Sequence, residues 1–482
     1  MNHGKSTSRS AKSPQGEKNT GGGKRAGLFE TFDVRTQAEP SSLGPVPADV
    51  LDLMERLRAK GHGVWVVGGA VRDLLTGVAP RDWDVATDAE TREILDLFPK
   101  VIPLGLRYGT LQVHTSQRQV EMTSLATAAD GNIFKDLARR DFTINAMALV
   151  FPTGELLDPH KGKADLGKKI LRAVGNPTAR LMEDPLRMLR AARFVSTLGL
   201  RPAPSIFAAC RDQVYGLDRT ARERIREEFF RILVGTRVVQ AFEFLRRTGI
   251  LEKLLPEFRL DGSFRGGKRL FLRNYRHAVG TVSLCPLDGR VRLAAFFHCL
   301  GNPCPAVNGD GLGEWIEERD VTLSAASRVM TRWKTAHKDM REVLRLLEHW
   351  IPPGGEDLSP PALRRLVLGV GEELLEDLVH FGYADRRDAG NERCIRAFDQ
   401  LVLRIKEQMD GGWIVGRSQL DLSGEDIMET LGIGPGPRVG EFLKRLHDFV
   451  IEDPRANHRE ILLEKLRQIS PKTGPPAEGC PG

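Results

Sequence analysis

Two carboxylates one residue apart, Asp82 and Asp84, are the first group in this 482-residue chain whose types and spacing could do chemistry. They flank Trp83 in a segment that continues as Val-Ala-Thr, which is typical of a β-strand. Side chains at positions i and i+2 of a strand share a face, so we expect both carboxylates to point the same way. Carboxylates so placed can hold two Mg²⁺ ions about 4 Å apart. Taken alone, an Asp-x-Asp sequence is also typical of a solvated strand edge.

A glycine pair, Gly68 and Gly69, lies between a predicted strand at Val64–Val67 and a predicted helix. Because glycine has no Cβ, backbone N–H groups could approach a triphosphate at the positive end of that helix. Arg72 lies on the first turns of the helix, where its guanidinium could bind phosphate. Taken alone, the glycine pair could equally form a tight turn. Together with the carboxylates that follow, it predicts a phosphate-binding turn beside a metal site.

Two further charged groups could complete this site. Glu121 lies on a predicted strand, Gln119–Thr123, and could supply a third carboxylate, although an ordinary strand-edge glutamate remains an alternative. The run RRDFTINAMAL places Arg139, Arg140 and Asp141 just before an apolar segment. Arginines beside a metal site suit triphosphate binding because the planar guanidinium matches phosphate oxygens. A surface charge cluster is the alternative for this run.

The run EDPLRMLRAARF predicts a helix over Glu183–Phe194 with Pro185 in its first turn. Asp184 and Arg187 are three residues apart and would be neighbours on one helix face. A carboxylate accepts hydrogen bonds and a guanidinium donates them, so this pair could read the amino group and ring nitrogen of cytosine or adenine. Uracil and guanine would turn a carbonyl towards the carboxylate. An ordinary surface ion pair is the alternative.

These runs together resemble a known family. GGAVRD followed by RDWDVAT resembles the nucleotidyltransferase superfamily that includes DNA polymerase beta. With RRDFTINAMA and EDPLRMLRAARF, the chain is similar to class II tRNA nucleotidyltransferases and bacterial poly(A) polymerases. The resemblance implies template-independent addition of nucleotides to the 3′ end of tRNA, with tRNA, CTP and ATP as partners and Mg²⁺ as cofactor. Within the family, the resemblance implies a CC-adding or CCA-adding enzyme, with a poly(A) polymerase as the alternative.

The resemblance also implies a set of site residues. The catalytic carboxylates would be Asp82, Asp84 and Glu121, of which Asp82 and Asp84 would bind metal. The nucleotide would be bound by Gly68, Gly69, Arg72, Asp73, Arg139, Arg140, Asp141, Asp184, Arg187 and Arg190. Four charged residues of a later predicted helix would brace the base-reading segment or form a solvated face: Glu223, Arg224, Arg226 and Glu227.

The implied fold is an α+β head with a mixed, DNA polymerase beta-like sheet, followed by helical parts. We expect a disordered basic tail at 1–46, a head at 47–166, a helical neck at 167–260, a helical body at 261–390, a tRNA-binding tail at 391–469 and a disordered end at 470–482. The net charge of +7 and the pI near 9.1 mildly favour a polyanionic partner. From a different class, a catalytically inactive RNA-binding protein would share these features.

Cysteine usage and hydropathy indicate the compartment. The six cysteines show no CxxC pair, so neither a disulfide framework nor a zinc knuckle is predicted, and a reducing cytoplasm fits best. No run of about eighteen apolar residues occurs, and we expect no membrane association. The sequence indicates no obligate protein partner.

Two segments depart from the family pattern. The run RLAAFFHCLGNP resembles the metal-binding run of HD phosphohydrolases, but Cys299 follows His298 where those domains have aspartate. We therefore expect an HD-like helical fold without a Mg²⁺ or Mn²⁺ site or hydrolase activity, with His277 and His349 as structural histidines. Only seventeen residues separate Glu121 from Arg139, with no arginine among them. This short segment resembles the subset of the family that adds CC and leaves the terminal A to another enzyme.

Overall fold

The computed structural model describes residues 35–36, 46–105, 109–258, 267–300 and 312–470. Most of both predicted disordered tails therefore lies outside the described residues. Arg35 and Thr36 were predicted to belong to the N-terminal tail, but they form a short strand paired with Leu156 and Leu157. Among the described residues, no helix is both long and apolar enough to cross a membrane.

Ten strands occur in the described residues. They are β1 (Arg35–Thr36), β2 (Val64–Val67), β3 (Asp84–Thr87), β4 (Val101–Gly105), β5 (Thr110–His114), β6 (Gln119–Ser124), β7 (Ala148–Val150), β8 (Leu156–Leu157), β9 (Ile170–Leu171) and β10 (Arg201–Pro202). The first eight form one mixed sheet in the order β1-β8-β7-β2-β3-β6-β5-β4. Within it β3 and β6 are parallel neighbours. That parallel pair places the starts of two central strands side by side at one end of the sheet.

The helices that accompany this sheet are short. They are α1 (Ala48–Ala59), α2 (Gly69–Leu75), α3 (Thr91–Leu97), α4 (Leu125–Ala128), α5 (Ile133–Arg139) and α6 (Gly162–Gly167). The central strands are buried on both faces: Val66 and Val85 belong to one apolar cluster, and Val67 and Ala86 to another. This explains why β2 reads as a continuous apolar run rather than an alternating one.

The rest of the described chain is helical apart from β9 and β10. Its helices are α7 (Pro177–Glu183), α8 (Arg187–Leu198), α9 (Pro204–Gln213), α10 (Arg222–Leu233), α11 (Val238–Arg247), α12 (Ile250–Leu254), α13 (Gly267–Leu284), α14 (Gly289–Phe297), α15 (Leu312–Arg332), α16 (His337–His349), α17 (Pro360–Val370), α18 (Glu372–Ala389), α19 (Glu392–Asp410), α20 (Gly424–Leu431), α21 (Pro437–Glu452) and α22 (Arg459–Ile469). A mixed sheet followed by helices confirms the predicted fold class.

One large apolar core runs through these helices, from Phe142 to Ile405. A separate small core joins α20, α21 and α22 around Ile427, Leu446 and Leu462. Helix α8 is central to the large core because it packs against α10 and α11 and its Met188 and Leu189 are buried. Its N-terminus is therefore held rigidly against the end of the sheet where the predicted site residues lie.

Candidate active site

The glycine pair forms the turn between β2 and α2. Gly68 has φ +71°, a left-handed conformation that favours glycine, and α2 begins at Gly69. A Cβ on Gly68 would lie 2.8 Å from Asp84 Oδ2 and 2.8 Å from Arg140 Nη1. The missing side chain thus lets a carboxylate and a guanidinium approach the turn directly.

Three carboxylates converge beside this turn. Strand β3 begins at Asp84, which pairs with Val67 on one side and with Glu121 of the parallel strand β6 on the other. The structure therefore places Glu121 beside Asp84, as the sequence predicted. The predicted position of Asp82 was wrong in detail, because Asp82 lies in the bend before β3 and strand alternation does not orient it. Asp82 still faces the same cavity as Asp84 and Glu121.

The surroundings of Asp84 disfavour its negative charge. Burial, the neighbouring Glu121 and, more weakly, Asp82 raise the pKa of Asp84 to about 6, although Arg140 and a hydrogen bond from the Gly69 amide oppose the shift. A divalent cation would relieve this repulsion between clustered carboxylates. Carboxylate oxygens are ligands that Mg²⁺ accepts, so the residues present fit such an ion.

The raised pKa of Asp84 predicts a pH-dependent response to Mg²⁺. Asp84 loses its proton near pH 4 in the unfolded chain and near pH 6 in the fold. As pH rises between these values, the folded state binds more protons than the unfolded state, so this group lowers stability. We therefore expect Mg²⁺ to raise the Tm clearly at pH 7.5 and little at pH 5, as measured by thermal denaturation.

Two variants test the cause of this effect. Asp84→Asn should abolish the difference between the two pH values. Glu121→Gln removes a repulsive neighbour, lowers the pKa of Asp84 and should extend the Mg²⁺ effect to lower pH. An equal Mg²⁺ shift at both pH values in the unmodified protein would contradict the assignment.

Two arginines approach the turn from different elements. Arg72 Nε donates to Asp73 Oδ1 over 2.9 Å, and Arg72 Nη1 donates to Asn145 Oδ1 over 2.9 Å. Arg140 Nε donates to Asp136 Oδ2 over 2.9 Å. These contacts fix both guanidiniums at the cavity wall, which reduces the entropy lost when they bind a phosphate.

Asp141 and Arg190 join the sheet to helix α8. Arg190 Nε lies 2.7 Å from Asp141 Oδ2, and the Asn145 amide donates to Asp141 Oδ1 over 3.1 Å. Burial alone would raise the pKa of Asp141, but the Arg190 charge and these hydrogen bonds outweigh burial and lower it. Asp141 is only 7% exposed, and both of its carboxylate oxygens accept these hydrogen bonds. The contact couples the sheet to the helices that follow it.

The prediction of one helix over Glu183–Phe194 was wrong. Helix α7 ends at Glu183, α8 begins at Arg187, and Asp184 is extended with φ −143° and ψ 99°. A residue that precedes proline is driven out of the α region, and Pro185 has this effect on Asp184. Asp184 and Arg187 are therefore not neighbours on one helical face.

Each member of the predicted base-reading pair has another partner in the structure. Asp184 Oδ2 accepts a hydrogen bond from Arg224 Nη2 over 2.9 Å. Arg187 Nη1 lies 2.9 Å from Glu183 Oε2, and its Nη2 donates to the Arg139 carbonyl over 3.0 Å. Both residues line the same cavity, with Arg224 beside them. Of the four predicted bracing residues, Arg224 thus supports Asp184.

The cavity has a volume of about 1060 Å³ and lies between the ends of the central strands and α8. All the site residues predicted from the sequence line it: Gly68, Gly69, Arg72, Asp73, Asp82, Asp84, Glu121, Arg139, Arg140, Asp141, Asp184, Arg187 and Arg190. It has a carboxylate side formed by the two strands and a cationic side formed by α8 and the Arg139–Arg140 segment. Such a division suits a metal-bound polyphosphate.

Three residues that support the site were not singled out from the sequence. Asn145 contacts both Arg72 and Asp141. The Arg193 guanidinium lies 4.6 Å from the centre of the Phe194 ring and donates to Glu228 Oε1 over 3.1 Å. Glu228 is 3% exposed, and a glutamate buried in the middle of an amphipathic helix looks the same in sequence as a solvated one.

A mixed sheet that presents a Gly-Gly turn and three converging carboxylates to one cavity defines a nucleotidyltransferase head. Comparisons with known proteins agree with this class. Residues 64–172 match the poly A polymerase head domain, and residues 199–260 match the family described as "Probable RNA and SrmB- binding site of polymerase A". Residues 319–466 match tRNA nucleotidyltransferase domain 2.

Curated relatives and solved structures extend the similarity along the chain. CCA-adding enzymes of Bacillus cereus (strain Q1) and Bacillus anthracis (strain A0248) are each 26% identical over 433 residues, which is 87% of this chain and 97% of the relative. The Bacillus stearothermophilus CCA-adding enzyme in complex with CTP matches at 26% identity and TM-score 0.66, covering 87% of this chain and 96% of that one. The Thermotoga maritima CCA-adding enzyme complexed with tRNA, at 21% identity and TM-score 0.53, shares the fold. The chain belongs to the family of tRNA nucleotidyltransferases and bacterial poly(A) polymerases.

Proposed function

We propose that this protein adds nucleotides from CTP, or from CTP and ATP, to the 3′ end of tRNA without a nucleic-acid template. The observation that carries the proposal is the single cavity that joins Asp82, Asp84 and Glu121 to the arginines of α8 and of the Arg139–Arg140 segment. The curated relatives are CCA-adding enzymes, and one solved relative holds CTP. Both facts support the proposal.

Members of this family use divalent metals, and we propose Mg²⁺ here, held by Asp82 and Asp84. When bound, two such ions would activate the RNA 3′-hydroxyl and stabilise the leaving pyrophosphate. The protein's own part is positioning. Arg72, Arg140 and the Gly68 turn would hold the triphosphate against the carboxylates, and Glu121 would add a third negative charge beside Asp84.

Base choice would depend on Asp184 and Arg187, although they do not form the helical pair that the sequence predicted. A carboxylate has lone pairs beyond those that Arg224 occupies, so Asp184 can still accept from the amino group of cytosine or adenine. Arg187 offers only donors, which suit cytosine N3 or adenine N1 and oppose the N3–H of uracil. The pair would therefore admit C and A and reject U and G.

The segment between Glu121 and Arg139 supports a CC-adding subtype. It forms the end of β6 and the helices α4 and α5, and its Leu125, Ala129 and Leu137 are buried against the sheet. Its one cation, Lys135, pairs with Asp130 over 3.0 Å on the surface. A short segment packed in this way has little freedom to reposition the base-reading residues for a larger purine.

Incubation with tRNA that ends at the discriminator base tests both the proposed nucleotide addition and the proposed CC-adding subtype. With CTP and ATP together, we expect the product to stop after two cytidines. A long flexible segment grafted between Glu121 and Arg139 should then permit addition of A. Efficient completion of CCA by the unmodified protein would refute the subtype and leave the family assignment standing.

The same assay separates the alternatives. A poly(A) polymerase would incorporate many adenosines with ATP alone and would accept RNAs other than tRNA. A catalytically inactive RNA-binding protein would release no pyrophosphate with either nucleotide while still retaining tRNA. Repeating the reaction with CTP alone and then ATP alone therefore distinguishes all three.

A further inference from the structure

A second cluster of potential ligands lies in the helical part of the chain, away from the candidate active site. His277 of α13, His298 and Cys299 after α14, and Asp385 of α18 are all buried, with exposures of 5%, 5%, 1% and 0%. One ligand atom from each of His277, His298 and Cys299 lies within 4.8 Å of the others. Nucleotide addition as proposed above uses none of these residues.

Hydrogen bonds orient the first histidine for ligation. His298 Nδ1 lies 2.6 Å from the carbonyl oxygen of Ala295, which can only accept, so Nδ1 carries the proton and Nε2 the lone pair. That Nε2 lies 3.2 Å from Cys299 Sγ and 3.7 Å from Asp385 Oδ1. The ring is therefore fixed with its basic nitrogen facing a thiol and a carboxylate.

The second histidine has the same arrangement. His277 Nδ1 lies 2.7 Å from Asp388 Oδ2, and its Nε2 lies 2.8 Å from Asp385 Oδ1. A carboxylate on Nδ1 and a metal on Nε2 is the usual arrangement of a ligating histidine. Without a metal, one further proton would be needed on the ring or on one of the two carboxylates.

Asp385 points to a cation at this position. It is completely buried, and among the described residues its Oδ2 accepts no hydrogen bond. The nearby Arg386 Nη1 is 4.0 Å from that oxygen, while Arg386 Nε and Nη2 bond to Glu356. A buried carboxylate oxygen without a hydrogen-bond donor is costly, and a cation bound beside Asp385 would offset that cost.

We propose that His277, His298 and Cys299 hold a structural Zn²⁺ ion, with the adjacent Asp385 carboxylate balancing its charge. Two imidazole nitrogens and a thiolate are typical ligands of tetrahedral Zn²⁺. The thiolate selects against Mg²⁺ and Mn²⁺, which prefer oxygen ligands. The sequence predicts that Cys299 disfavours hard cations, and in this proposal the same residue supplies a ligand for a softer one.

The site is structural because it is closed. The rings of Trp350 and Phe381 lie 5.0 Å and 5.5 Å from that of His298, so apolar groups cover the cluster. The metal would tie α13, α14 and α18 together within the large apolar core. This inference is independent of the proposed nucleotidyl transfer, so either can fail without the other.

Metal analysis of the full-length protein tests the inference. Protein purified without chelators from zinc-supplemented medium should contain about one Zn²⁺ per chain by plasma mass spectrometry. Cys299→Ser should lower this content at least fivefold. Cys210→Ser, which alters another fully buried cysteine on α9, should leave it unchanged. Removing zinc with a strong chelator should lower the Tm, and Zn²⁺ but not Mg²⁺ should restore it.

Cobalt substitution shows whether the thiolate is a ligand. Co²⁺ added to the chelator-treated protein should give visible bands of tetrahedral cobalt and a near-ultraviolet sulfur-to-cobalt absorption, and Cys299→Ser should lose the latter. Zinc far below one equivalent, with a Tm unaffected by the chelator, would overturn the proposal and favour a metal-free cluster held together by hydrogen bonds. If Cys299→Ser does not fold, the zinc content and cobalt spectrum of the unmodified protein still decide.

Discussion

Asp84→Asn should lower nucleotide addition by at least about 10³-fold, equivalent to ~4 kcal/mol in the activation barrier. The substituted amide would keep the shape of the side chain but lose the charge that we propose binds Mg²⁺. Binding of tRNA should change little, because the variant leaves the cationic side of the cavity intact. The measurement is single-turnover addition of CMP to tRNA, with tRNA affinity measured in parallel.

Stability separates this result from misfolding. The pKa of Asp84 is raised to about 6, so its charge destabilises the metal-free fold above that pH, and Asp84→Asn should have an equal or higher Tm at pH 7.5. Asp96→Asn is a matched control, since Asp96 is an exposed carboxylate of the same part of the chain on α3. Addition within tenfold of the unmodified protein would refute the metal-binding role of Asp84.

The sheet and the turn could be predicted from sequence because local chemistry determines them. The apolar run of β2, the glycines at the turn and the alternation around Glu121 each correspond to a backbone preference that needs no distant partner. The register between Asp84 and Glu121 could only be anticipated in general terms. It depends on the parallel pairing of two strands that are more than thirty residues apart in sequence.

Contacts between distant elements account for what the sequence did not reveal. Pro185 was assigned to a helical first turn, although its effect on the preceding Asp184 dominates and breaks the helix. The partners of Asp184 and Arg187 come from α10 and from Arg139, and no spacing rule predicts them. In the sequence, the segment around Cys299 stood out because it has cysteine where HD domains have aspartate. The geometry of the cluster also depends on Asp385, which is far along the chain.

The position of Arg187 predicts the second large change in activity, a loss of base preference. Its guanidinium lies at the start of α8, 16% exposed, at the wall of the cavity. Hydrogen bonds to Glu183 and to the Arg139 carbonyl hold it there, so it can both position α8 and meet a base edge. A purely positioning role would lower addition of every nucleotide by the same factor. A base-reading role would change the ratio between nucleotides, because a donor facing the N3–H of uracil or the N1–H of guanine disfavours those bases and not cytosine or adenine.

Arg187→Ala should therefore reduce the preference for CTP over UTP by about 10²-fold in kcat/KM, or ~2.7 kcal/mol, while the KM for CTP rises much less. Arg180→Ala is the matched control, because Arg180 is a similarly buried arginine that pairs with Glu183, as Arg187 does, but does not line the cavity. It should leave the preference unchanged. If Arg187→Ala keeps full rejection of UTP and GTP while losing rate with every nucleotide, Arg187 only positions α8, and other groups in the cavity must select the base.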